Sequence, residues 1–150
     1  MRRDDSMGYR VNKVGSMLVV RWQDMTLGDI TAVRDEVNQF HRELGKPVVY
    51  VSITEDGSKP PDDDVRKAMV RSAESLMPVL AKLYVVIDTG GFMGSVHRSA
   101  LAGMLLVSKL RNKVKVVKSL DEVLSLAAGD IGLDPNSVRS QLSAAGMATG

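Results

Sequence analysis

The sequence predicts one α/β domain, a mixed, mainly parallel five-stranded sheet with an N-terminal hairpin and helices packed against it. Three observations predict it. Two strand-like runs, Tyr9 to Val14 and Met17 to Trp22, are separated only by Gly15-Ser16, as a tight hairpin requires. Three further β-branched runs follow, each separated from the one before by a segment long enough for a crossover helix, which joins parallel neighbours. Finally, 150 residues with 44% hydrophobic and 25% charged residues suit one core rather than two. The expected domain spans residues 1–150, with 1–8 and 146–150 as loose ends.

Each element has its own signal. Tyr9-Arg10-Val11-Asn12-Lys13-Val14 alternates with a period of two, and Met17-Leu18-Val19-Val20-Arg21-Trp22 reads as the more buried partner. Thr26 is placed to cap a helix, with Asp29 three residues on. Leu27, Ile30, Val33, Val37, Phe40 and Leu44 then recur at helical steps until Gly45 stops it. Val48 to Ile53 suits an inner strand, followed by a polar loop, Thr54 to Pro61. Asp62, Asp63 and Asp64 favour a helix start, with Val65, Met69, Ala73, Leu76 and Leu80 as its apolar stripe and Pro78 ending or kinking it. Leu83 to Ile87 reads as a buried strand, and Ser95 to Leu110 as a helix. Lys113 to Val117 is the last strand. Ser119-Leu120-Asp121-Glu122 forms a capping box, and Asp134-Pro135 opens a final helix, Asn136 to Ala144.

Composition narrows the chemistry. Without cysteine there are no disulfides, thiolate nucleophiles, iron–sulfur clusters or usual zinc sites. No apolar run approaches the ~20 residues of a membrane span, and Met1 to Ser16 lacks the apolar core of a signal peptide, so the expected location is the cytoplasm. Twenty basic and 18 acidic residues leave a net charge of +2, so electrostatic arguments rest on local clusters.

The element order resembles the STAS family, the anti-sigma factor antagonist fold of SpoIIAA and its relatives. Val14-Gly15-Ser16-Met17-Leu18-Val19-Val20-Arg21, as the opening turn and strand, and Val114 to Leu126, as the closing strand and helix, carry the resemblance. Antagonists of this family have an Asp-Ser-Ser-Gly-like loop whose second serine is phosphorylated to release a partner kinase, and Asp88-Thr89-Gly90-Gly91-Phe92 is similar to it. Gly90 stands where that serine would be, and this loop follows the fourth strand rather than the third. By element order the equivalent loop is Thr54 to Asp62, which offers Thr54 and Ser58. The resemblance thus implies a regulatory, non-enzymatic module that docks a protein partner, a regulatory kinase or an anti-sigma-like protein, through the loops after strands 3 and 4. Thr54, Ser58 and Thr89 are the candidate phosphoacceptors. The fold class also resembles Sec14-type lipid-binding cores.

The leading candidate for a ligand is the glycine turn, Gly90, Gly91 and Gly94, with Ser95, His97 and Arg98 at the helix start. Backbone N–H groups, the helix dipole and a guanidinium would meet there around a small anionic or lipid-like ligand. The plainer alternative is favoured: glycines satisfying backbone angles, Ser95 as a cap and Arg98 solvating the helix. A dinucleotide fingerprint fails, because residue 89 is threonine and no acid occurs from Thr89 to Leu120 to hold a ribose. That acid-free stretch holds Arg98, Lys109, Arg111, Lys113, Lys115 and Lys118. Few aromatics accompany them, so nucleic acid is disfavoured against lysines that protect an edge strand. His41 and His97 lie on different helices, and Asp62 to Asp64 suit a helix start, so no metal, cofactor or catalytic residue is assigned. Oligomerisation through an edge strand or a Met-bearing helix face stays open.

Overall fold

The computed structural model describes residues 8–23, 25–54, 62–87 and 112–131, together with Ser99, Gly103, Asn136 and Ser140. Along them the chain runs β1 (Tyr9–Val14), β2 (Met17–Trp22), α1 (Leu27–Leu44), β3 (Val48–Thr54), α2 (Asp63–Ser75), a 3-10 turn (Met77–Val79), β4 (Leu80–Ile87), β5 (Val114–Val117) and α3 (Leu120–Ile131). The sheet is mixed, with the strands in sequence order β1-β2-β3-β4-β5. β1 is antiparallel to β2, whereas β2/β3, β3/β4 and β4/β5 are parallel pairs.

Local chemistry sets most boundaries. Val14 pairs with Met17 across the hairpin, and Gly15 takes φ 58°, a conformation that a side chain would strain. Thr26 Oγ1 accepts the Asp29 N–H at 3.1 Å to start α1. Gly45, at φ 71°, ends it by donating to the His41 carbonyl at 2.9 Å. Asp62 Oδ1 caps α2 through the Val65 N–H at 2.9 Å, and Ser119 Oγ accepts from Glu122 N at 3.2 Å at the start of α3.

Two points differ from the sequence reading. Leu80 is the first residue of β4, not part of the α2 stripe: α2 stops at Ser75, Pro78 sits in the 3-10 turn, and the chain turns straight into the strand. Leu27, read as part of the α1 core stripe, is 56% exposed, because the first residue of the helix lies beyond the cover of the sheet. The expected helices at Ser95 to Leu110 and Asn136 to Ala144 fall outside the described residues, save Ser99, Gly103, Asn136 and Ser140, which are helical.

The period of two in the strands divides the core into two layers. Leu18, Val20 and Trp22 of β2, Val48 and Tyr50 of β3 and Leu83 and Val85 of β4 pack against Ile30, Val33, Val37 and Phe40 of α1 and Val70 and Ala73 of α2. On the opposite face Met17, Val19, Val49, Val51, Ile53, Tyr84, Val86 and Val117 pack against Val123, Leu124 and Ala127 of α3. The inner strands are therefore covered on both faces, which is why β2 and β3 are buried along almost their whole length.

Candidate functional site

The parallel register brings the carboxyl ends of three strands together: Trp22 pairs with Thr54, and Thr54 with Ile87. The chain therefore leaves β3 and β4 side by side at the carboxyl end of the sheet, where open α/β sheets place their working surface. Thr54 ends β3 and is half-buried. Ser58, Thr89, Gly90, Gly91, Gly94, Ser95, His97 and Arg98 lie outside the described residues, as do Lys109 and Arg111 of the basic stretch.

Behind that end lies a buried polar cluster on the α1/α2 face. Trp22 Nε1 donates to Ser52 Oγ at 2.9 Å, and the Tyr9 ring lies 5.8 Å from Trp22, tilted by 51°. Ser52 also hydrogen-bonds the Tyr50 phenol, but burial dominates and raises the Tyr50 pKa well above the ordinary phenol range. The cluster holds polar groups in an otherwise apolar layer at little net cost, since each found a partner. Trp22, Tyr50 and Ser52 line a small cavity of about 20 Å³ together with Val33 and Met69, room for about one water.

Outward from this cavity the two helices leave a groove of about 250 Å³. Its polar lining is Arg34 and Thr31 from α1 with Arg71 and Ser72 from α2, and its apolar lining is Leu27, Ile30 and Ala68. Ile30, Arg34 and Ser72 line both spaces, so the cavity and the groove adjoin. No carboxylate side chain lines either space among the described residues. Arg34 Nε stands 4.0 Å from Asp35 Oδ1, a contact at the limit of an ion pair.

The other charged candidates take structural roles. Asp62 is spent on the α2 cap, and Asp63 binds Arg66, whose hydrogen bond and charge hold the Asp63 carboxyl below its ordinary pKa. No group of three or more potential metal-ligating side chains occurs among the described residues. Lys113 is half-buried and donates to the carbonyls of Met77 at 3.0 Å and Leu80 at 2.9 Å, tying the chain just before β5 to the 3-10 turn and the start of β4. Lys115 is exposed on β5, an edge strand. Lys13 bridges Glu43 at 3.5 Å and lies 5.2 Å from the Phe40 ring centroid. His41 sits half-buried in the last turn of α1. Arg21 is buried within β2, only 6% exposed, and is engaged in an interaction.

The sequence reading missed the groove. Its two arginines lie 37 positions apart on different helices, and neither stands in a motif. The one available signal was a basic residue on each of two helices that flank the same strand.

No family model matches the chain, and neither does any curated protein or solved structure. No helix among the described residues is long and apolar enough to cross a membrane.

Proposed function

We propose that the protein is a non-enzymatic regulatory module of the STAS-like type that docks a cytoplasmic protein partner through the chain leaving β3 and β4. The observation that carries this reading is the register Thr54↔Ile87. It sets Thr54, the last residue of β3, beside Ile87, the last residue of β4, which supports one partner reaching the chain that follows both strands. The opening hairpin and the order of elements support it as well. Phosphate on the hydroxyl of Thr54, Ser58 or Thr89 adds a charge of about −1.5 to −2, enough to repel or recruit a charged partner.

Affinity capture with the full chain tests the reading. A partner held by the wild type and by Lys46→Glu, at the far end of β3, is expected to be lost with Ser58→Glu or Thr89→Glu. Retention of the same partner by both loop variants overturns it. Intact mass of the captured bait shows whether phosphate accompanies release.

A further inference from the structure

We infer that the groove between α1 and α2 is a binding site for a small amphipathic anion, an oxyanion head of carboxylate or phosphate type on a short apolar chain. This site is separate from the carboxyl ends of β3 and β4 and does not depend on the docking reading.

Charge complementarity sets the head. Arg34 and Arg71 face the groove from opposite helices, with the hydroxyl-bearing Thr31 and Ser72 beside them and no acid in the lining. Among the described residues the Arg71 side chain makes no hydrogen bond or ion pair, and the Arg34 contact to Asp35 is long. Two guanidiniums are suited to an oxyanion, because each offers planar paired donors.

The apolar lining sets the tail. Leu27 is the exposed large hydrophobic side chain of the described residues, and it stands at this groove with Ile30 and Ala68. Its exposed side chain adds apolar surface to the groove lining, against which a short chain can pack. The groove shares Ile30, Arg34 and Ser72 with the 20 Å³ cavity beneath, whose other walls are apolar apart from the Trp22–Ser52–Tyr50 cluster. Trp22, Ser52 and Tyr50 are already hydrogen-bonded among themselves, so an alkyl end passing Arg34 and Ser72 strips none of these three of a water partner. The cavity admits only a group about the size of a water molecule, hence the tip of a slender chain and not a peptide backbone. Met69 lines the cavity, and its unbranched side chain lets the space widen around a longer chain.

Calorimetric titration of the full chain with sodium octanoate, octyl phosphate, 1-octanol and inorganic phosphate tests the site. The expected result is binding of octanoate, octyl phosphate or both, with the tighter of the two assigning the head chemistry. Arg34→Ala and Arg71→Ala should each weaken it about tenfold, the usual scale of a charged hydrogen bond, while Lys46→Ala leaves it unchanged. Arg71 is exposed, so its variant folds, and matching circular dichroism and melting of all variants confirms this. Failure of both octyl anions to bind at millimolar concentration overturns the proposal. So does 1-octanol or inorganic phosphate binding as tightly as the octyl anions, or affinity indifferent to both arginine substitutions.

Discussion

Trp22 and Ser52, on adjacent strands, are joined inside the core by an indole N–H that donates to the serine hydroxyl at 2.9 Å. Trp22 faces Thr54 in the strand register, so the bond runs diagonally across the β2/β3 pair and fixes the indole against the floor of the cavity. Ser52→Ala should leave that N–H buried without a partner and lower stability by about 1–3 kcal/mol. Trp22→Phe with Ser52→Ala should cost less than the two single changes together, since the orphaned donor is gone. Urea unfolding of the four proteins measures the coupling, and strictly additive costs would show that the bond carries no net stability.

Lys113 illustrates a charge that the sequence offers as surface and the fold uses inside. Its ammonium holds two carbonyls of the chain entering β4. Lys113→Met should destabilise by about 1–3 kcal/mol, because charged hydrogen bonds are lost and two acceptors are left short of a donor. Lys115→Met, at an exposed position on β5, should stay within about 0.5 kcal/mol. Equal melting shifts for the two variants would remove the assigned role.

Tyr50 makes stability depend on alkaline pH. Burial raises its phenol pKa in the folded state above the value of about 10 in the unfolded chain. A raised folded pKa means that its contribution is fully present below about pH 10 and is lost as the pH climbs from there toward the folded value, because the unfolded chain releases its proton first. Urea midpoints should therefore fall between about pH 10 and 11 more steeply for the wild type than for Tyr50→Phe. Parallel curves would place the phenol in water.

The helix caps offer a test that touches neither site. Asp62→Ala and Thr26→Ala each remove a side-chain acceptor from a helix start and should cost about 1 kcal/mol. Asp62→Asn should recover most of its loss, as the amide oxygen still accepts the Val65 N–H. If asparagine is as costly as alanine, the interaction at Asp62 is charge with the helix dipole and not a hydrogen bond.

Legibility varied with the range of the interaction. Thr26, Gly45, Asp62 and Ser119 act on backbone groups within four residues, and their roles could be read directly from spacing. The hairpin was equally local. Leu80 was misread because helical periodicity persists past the residue where Pro78 turns the chain, and an apolar residue fits a strand as well as a stripe. The groove of Arg34 and Arg71 left no pattern, since each arginine taken alone is an ordinary helix surface residue.

For the described elements, residue order by itself determined the α/β class, the order of strands and helices and the helix starts, because propensity, alternation and capping all act over a few residues. Only the tertiary structure decided that α1 and α2 share one face of the sheet with α3 on the other, that Ser52 answers Trp22, and that Lys113 turns inward. Those outcomes depend on which strands become neighbours. Strand order joins residues 30 or more positions apart through burial and hydrogen bonding, and no short window of sequence contains both partners.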